Sequence, residues 1–200
     1  MKCGLRILHI DQKGLTLVEL IVAIAITALI GSAVAVASFQ LVKVNARSTN
    51  HQFAVSMVQN GVNSISRDIA QAQNINPMNY NNIAITVNGS NQIVFDLTKN
   101  PNGDKLELKW VAWDNTTKHN TTNDVIYTVV NKVLQKTITI TIDNGIPSTS
   151  TMVVANNITT ASGNWNIYTR TLTLTIRADV GTSNTGTEIR TLQIIPRPAR

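Results

Sequence analysis

The sequence predicts an α+β protein. We expect a long N-terminal helix, membrane-spanning in its first half and amphipathic in its second, packed on an antiparallel β-sheet domain. Three features predict this class. An apolar segment lies near the N-terminus, an apolar stripe with helical spacing follows it, and the remaining chain alternates apolar and polar residues in short runs between turns.

The apolar segment runs from Gly14 to Val42, and its 29 residues contain one ionisable side chain, Glu19. As a helix it would be about 43 Å long at 1.5 Å per residue, which exceeds a bilayer core of roughly 30 Å. Lys2, Arg6 and Lys13 precede it. Basic flanks stay in the cytoplasm, so we expect a single-pass protein whose C-terminal domain is extracytoplasmic.

Two simpler interpretations of this segment stay open. A cleaved secretory signal has an apolar core of about 7–15 residues and a small-x-small cleavage site, and "SAVAVAS" offers such a site. A plain membrane anchor explains the length. It does not explain Glu19, because a carboxylate in hydrocarbon costs on the order of 2.5 kcal/mol or more.

The stretch "KGLTLVEL" resembles the cleavage and methylation motif of type IV prepilins and pseudopilins. In that family a short basic leader ends in glycine, a hydrophobic residue follows, and a glutamate begins a long apolar helix; Gly14, Leu15 and Glu19 match these positions. Leu15 occupies the position where phenylalanine is commonest in the family. Val36 lies near the position where many major pilins have a helix-bending proline, and the lack of that proline favours a minor subunit.

The resemblance implies a pilin-like fold and a structural role rather than catalysis. A membrane peptidase and methylase would cut after Gly14 and methylate the amine of Leu15. Glu19 would pair with the N-terminal amine of a neighbouring subunit, and Thr16 would add a hydroxyl contact or bond its own helix backbone. The alternative for Glu19 is a side chain that snorkels to the membrane interface.

The implied filament is a pilus or pseudopilus for secretion, adhesion, motility or DNA uptake. Its other partners would be further pilins through the N-terminal helix, the inner-membrane assembly machinery and membrane lipid. We therefore divide the chain into a leader (1–14), a transmembrane part of the helix (15–42), an extracytoplasmic part of the helix (43–76) and a β-rich domain (77–200).

Composition limits the chemistry of the chain. The one cysteine, Cys3, falls in the expected leader, so the processed chain has no disulfide and no thiolate nucleophile. The net charge is +6; without Lys2, Arg6, Lys13 and Asp11 it is +4, from 14 basic and 10 acidic residues. No catalytic constellation or cofactor motif is present, so we predict a protein that is not an enzyme and that needs no cofactor.

Apolar residues with helical spacing follow the membrane segment: Val55, Val58, Val62, Ile65, Ile69 and Ala72. The predicted helix ends near Asn76, because Pro77 cannot easily continue it; a break near residues 47–50 is the alternative. Phe53 and Met57 fall off the stripe and are predicted to contact another subunit. "ISRDIAQAQNI" resembles a pattern of J-type minor pseudopilins and W-type minor pilins, although Arg67 and Asp68 also suit a solvated or capping position.

The rest of the chain predicts strands and turns. A hairpin around Asn88–Gly89 is followed by strand-like runs: "KLELKWVAW", "VIYTVV", "LQKTITITI", "RTLTLTIRA" and "EIRTLQII". The isoleucines of "TITITI" predict an apolar face that covers the helix stripe. The segments "GIPSTST", "ASGNWN" and "VGTSNTGT" are predicted loops.

Two further binding sites can be considered. "NPNGDK" places Asn100, Asn102 and Asp104 like the first half of a calcium loop, but Val111 stands where the late acidic ligand belongs, which favours a hairpin turn.

DNA binding by a competence filament is the alternative function. Its candidate phosphate ligands are Arg190, Arg197 and Arg200, with Trp110, Trp113 and Trp165 as candidate stacking residues, although a core role is commoner for tryptophan.

Overall fold

The computed structural model describes residues 16–78, 92–99, 103–114, 118–143, 145–183 and 185–196. These residues form one helix and nine strands. The bounds are α1 Leu17–Gln71, β1 Asn74–Met78, β2 Gln92–Asp96, β3 Lys105–Asp114, β4 His119–Val130, β5 Val133–Ile142, β6 Ser148–Ala155, β7 Ile158–Asn166, β8 Thr171–Val180 and β9 Gly186–Ile194.

The chain divides into two compact units, one that ends at Asn45 and one from Ala46 to Arg200. In the first unit, the described residues are the N-terminal part of α1. In the second, the rest of α1 is followed by strands that pair in antiparallel fashion throughout. The predicted α+β class, a long apolar helix with an antiparallel β domain, is therefore confirmed.

The strands form two sheets, a division that the sequence did not predict. Sheet A has the order β1-β3-β4-β5-β6, and sheet B has the order β2-β7-β8-β9. Strands β3, β4, β5 and β6 follow one another by hairpin-like connections, as do β7, β8 and β9. Strand β2 pairs with β7, so the chain crosses from sheet B to sheet A between β2 and β3.

The second part of α1 buries one stripe of side chains against both sheets: Ala54, Val58, Gly61, Ile65, Asp68 and Ile69. Gly61 marks the closest approach, because a Cβ there would lie 3.2 Å from Leu134 of sheet A and 3.4 Å from Ile176 of sheet B. Ile65 and Ile69 are fully buried, as predicted, whereas Val62 is partly buried at the edge of the core.

The alternating strands differ in how well their apolar faces are covered. In β8, Leu172, Leu174 and Ile176 are fully buried. In β5, Ile138 packs against the core, but Ile140 is 39% and Ile142 is 53% exposed. The expectation that the isoleucine face of β5 would cover the helix stripe is therefore correct for one end of the strand and wrong for the other.

Two predicted loops contain strands. "GIPSTST" includes the start of β6, and "ASGNWN" lies within β7. In β7, Gly163 faces Phe95 of β2, and a Cβ there would come within 2.4 Å of the ring. The glycine that suggested a loop thus makes room for a buried aromatic side chain on the neighbouring strand.

The helix ends at Gln71 rather than at residue 76. The N–H of Gln73 donates to the carbonyl of Lys109 at 2.9 Å, so the chain is already aligned with β3 at this point. Pro77 lies within β1, an edge strand of sheet A, where a residue without an N–H is tolerated. Pairing with β3, not the proline, ends the helix.

Candidate processing and assembly site

Thr16 and Glu19 form a reciprocal cap at the start of α1. The backbone N–H and the hydroxyl of Thr16 both donate to Oε2 of Glu19 at 2.9 Å, and the N–H of Glu19 donates to Oγ1 of Thr16 at 3.3 Å. This is the capping-box arrangement, which satisfies N–H groups that have no partner within a helix. The alternative in which Thr16 bonds its own helix backbone is therefore present in the single chain, and its hydroxyl contact in assembly stays a prediction.

The carboxylate of Glu19 uses one of its two oxygens in this cap. Within the described part of the chain, Oε1 has no hydrogen-bond partner, and the residue is exposed. A carboxylate at a helix N-terminus also interacts favourably with the helix dipole. Glu19 therefore has a local structural role and keeps one acceptor oxygen open to another molecule.

The helix that follows this cap is apolar on all sides. Its most apolar 18-residue window has a mean hydropathy of 2.6, and none of that window is buried. Leu17, Leu29 and Phe39 are each more than 70% exposed. By length and composition the helix is able to cross a membrane.

Gly14 and Leu15 lie outside the described residues. Comparison with known families finds a match over residues 10–35 to the family described as the prokaryotic N-terminal methylation motif. This N-terminal match supports the type IV prepilin and pseudopilin family for the chain. No curated protein matches the chain at a significant level.

The motif match covers the predicted cut site, the capping box and the first half of the apolar helix. For this prepilin-like chain it implies processing by a prepilin peptidase and assembly with other pilins, and it fits a membrane anchor. The family consists of structural subunits rather than enzymes.

Phe53 and Met57 do not form one exposed pair on α1. Phe53 is 55% exposed, but Met57 packs against the core, and its sulfur accepts the N–H of Asn156 at 3.3 Å. The prediction that Met57 lies away from the sheets is therefore wrong. The predicted stripe included Val55 and Val62, whereas the buried face of the helix has Ala54 and Gly61 at the neighbouring positions.

The candidate DNA-binding residues that the structure describes are Arg190 in β9, Trp165 in β7, and Trp110 and Trp113 in β3. Arg190 donates to Glu188 at 3.1 Å and also contacts the side-chain amide oxygen of Gln59. Arg197 and Arg200 lie outside the described residues. Trp165 is buried in sheet B, Trp110 packs against the core, and Trp113 is 54% exposed. The described arginine is engaged in bonds within the domain, so this arrangement adds nothing in favour of phosphate binding.

Asp104 belongs to a crossover between sheets rather than to a hairpin. Its carboxylate accepts the N–H of Asp96 at 2.8 Å, and its N–H donates to the carbonyl of Asp96 at 2.9 Å. Asn100 and Asn102 lie outside the described residues. Among the residues that the structure describes, no three His, Cys, Asp or Glu side chains gather as metal ligands.

A buried polar network was missed by the sequence analysis. Asp68 accepts the hydroxyl of Tyr127 and the ammonium of Lys136, both at 2.6 Å, and Ser64 bonds the same hydroxyl at 2.8 Å. Burial, followed by the bond to Asp68, raises the pKa of Tyr127 far above its ordinary value. The signal was present: Asp68 falls on the apolar stripe, three residues after Ile65.

Proposed function

We propose that this protein is a minor pilin-like or pseudopilin subunit, cut after Gly14 and methylated on Leu15, that enters a pilus or pseudopilus through its N-terminal helix. The observation that carries the proposal is the placement of Glu19. One oxygen of its carboxylate closes the helix cap with Thr16, and the other has no partner among the described residues. A neighbouring subunit's N-terminal amine would supply the missing partner.

The free-energy cost of a carboxylate near hydrocarbon favours a filament subunit over a solitary membrane protein. A carboxylate near hydrocarbon is tolerated when an opposite charge meets it in a protein interior. The apolar helix is exposed along its length in the single chain, so helices of neighbouring pilins and membrane lipid are its natural surroundings. The globular domain would then face away from the cytoplasm, and the inner-membrane assembly machinery would extract and stack the subunits.

Two substitutions separate the capping role of Glu19 from its charge. Glu19→Gln keeps an amide oxygen for the capping box but removes the negative charge. If the charge pairs with an amine, Glu19→Gln should lower filament incorporation nearly as much as Glu19→Leu. A broken buried pair typically costs about 3–5 kcal/mol, which corresponds to a hundredfold or greater loss at equilibrium.

The measurement is quantitative blotting of membrane and sheared-filament fractions, with intact-mass analysis of the processed N-terminus. Ser32→Leu is a matched control, because it also replaces a polar residue of the apolar helix whose hydroxyl bonds only its own helix. Gly14→Val should block cutting. A chain that begins at Met1 in cells with the peptidase, or normal incorporation of Glu19→Gln, would contradict the proposal.

A further inference from the structure

A cleft of about 320 Å³ opens where three segments of the domain meet: the residues after β2, the β4–β5 turn and the start of β7. Its volume is at the small end of the range for small-molecule sites, roughly 300–1,000 Å³. The residues that line it are Thr98, Lys99, Val129, Asn131, Lys132, Ile158 and Thr159.

The cleft carries two positive charges that the described domain does not neutralise. Among the described residues, no carboxylate lies within salt-bridge distance of Lys99 or Lys132. The carboxylates next to the cleft are held by the cleft's own threonines and by an arginine: Asp96 accepts the N–H and hydroxyl of Thr98, and Asp179 accepts the hydroxyl of Thr159 and pairs with Arg177 at 2.9 Å. The charged side chains among the described lining residues are both lysines, which suits an anion.

The position of Lys132 is not explained by the turn that contains it. Asn131 and Lys132 have φ values of 51° and 64° and link β4 to β5 as a two-residue turn. Such turns favour asparagine followed by glycine. A lysine in the left-handed region is uncommon, and here its backbone is fixed by the bond from Ile158 N–H to its carbonyl at 2.9 Å.

The two threonine hydroxyls define the rest of the ligand. Thr98 donates its hydroxyl hydrogen to Asp96, and Thr159 donates its own to Asp179, both at 2.6 Å. A hydroxyl has one donor hydrogen and two acceptor lone pairs, so both oxygens offer only acceptor sites to the cleft. Half-buried Val129 adds an apolar wall to the cleft, whereas Ile158 is fully buried and exposes no surface to a ligand.

We propose that this cleft binds an acidic sugar, one that carries a carboxylate or phosphate group and several hydroxyls. The anion would contact Lys99 and Lys132, sugar hydroxyls would donate to Thr98 and Thr159, and the C–H face of the ring would lie on the apolar wall. The same chemistry occurs in uronic-acid polymers and in phosphorylated polymers. The site does not depend on filament assembly, so it stands or falls separately from the proposed function.

The test is a titration of the full chain in detergent micelles, and binding is monitored through the backbone amide NMR signals of Lys132 and Thr159. The probes are glucuronate, glucose 1-phosphate, glucose and inorganic phosphate. We expect saturable shifts with one or both acidic sugars. Glucose, without the charge, and phosphate, without the sugar ring and its hydroxyls, should each bind about fivefold more weakly, as expected for the loss of one surface interaction.

Lys132→Asn tests the charge without disturbing the turn, because asparagine tolerates a positive φ. It should weaken the acidic sugar about fivefold, as should Lys99→Gln. Lys118→Asn is the matched control, since Lys118 also has a positive φ of 59° but lies at the β3–β4 turn, outside the cleft; it should leave binding unchanged. Equal loss from Lys118→Asn, equal binding of glucose, or equal binding of phosphate would overturn the assignment.

Discussion

Asp68 should be among the most costly residues to remove from this domain. Its carboxylate and the ammonium of Lys136 are 2.6 Å apart, with only 6% and 14% of the respective side chains exposed. Asp68→Ala would leave the buried Lys136 charge without a partner, which typically costs about 3–5 kcal/mol. Tyr127 would lose one partner but keep Ser64 at 2.8 Å, so its share of the loss should be smaller.

Thermal unfolding of the full chain in detergent micelles, followed by circular dichroism, measures this cost. For a domain of about this size, 1 kcal/mol corresponds to about 2–4 °C, so Asp68→Ala should lower the midpoint by roughly 6–20 °C. Arg177→Met is a control on a half-exposed pair with Asp179 and should cost about 1 kcal/mol or less.

The combined variant Asp68→Leu with Lys136→Met distinguishes a buried pair from a general loss of packing. A buried ion pair replaced by apolar residues of similar size is often neutral or stabilising, so the double variant should be more stable than Asp68→Ala alone. A loss below about 1 kcal/mol for Asp68→Ala would refute the reasoning, as would a double variant less stable than Asp68→Ala.

The other predictions concern single side chains. Ile65→Ala, at a fully buried position, should cost about 2–5 kcal/mol in denaturant unfolding. The raised pKa of Tyr127 adds stability that is lost above about pH 10, by up to about 1.4 kcal/mol per pH unit; Tyr127→Phe should remove that slope and Tyr168→Phe should not. The pKa of Asp179 is lowered from 3.8 to about 2, so the stability that it adds should be lost progressively as the pH falls from about 4 to about 2, and this loss should be missing in Asp179→Asn. Lys132→Gly should stabilise the turn by about 1 kcal/mol, measured by thermal midpoint.

The helix was predictable because its signals are local. Thr16 and Glu19 match the Thr-x-x-Glu signature of a capping box, and the apolar run and the stripe around Ile65 can be read without knowing the rest of the fold. The stripe was displaced by one residue at Val55 and Val62 because glycine and alanine were given too little weight. Gly61 and Ala54 are buried since close packing on the sheets favours small side chains.

The two-sheet arrangement was not predictable in the same way, because it depends on pairing between distant strands. Strand β2 pairs with β7, and Gly163 reads as a loop residue until Phe95 is placed opposite it. The cleft depends on the same long-range arrangement, since it joins Lys99 after β2 to Lys132 in the β4–β5 turn and to Thr159 in β7. No local pattern connects these three positions.

The geometry of Glu19 changes how the charge in the apolar segment is understood. A glutamate that only snorkels to the interface needs no particular neighbour, yet its Oε2 receives two hydrogen bonds from Thr16. The cap orients the carboxylate and satisfies an N–H that would otherwise face hydrocarbon, where an unsatisfied group costs several kcal/mol. Capping accounts for a polar side chain at this position, but an amide would serve as well. Capping does not require the negative charge. The helix dipole favours a carboxylate at this position, and in the proposed filament the amine of a neighbouring subunit would give the charge a direct partner.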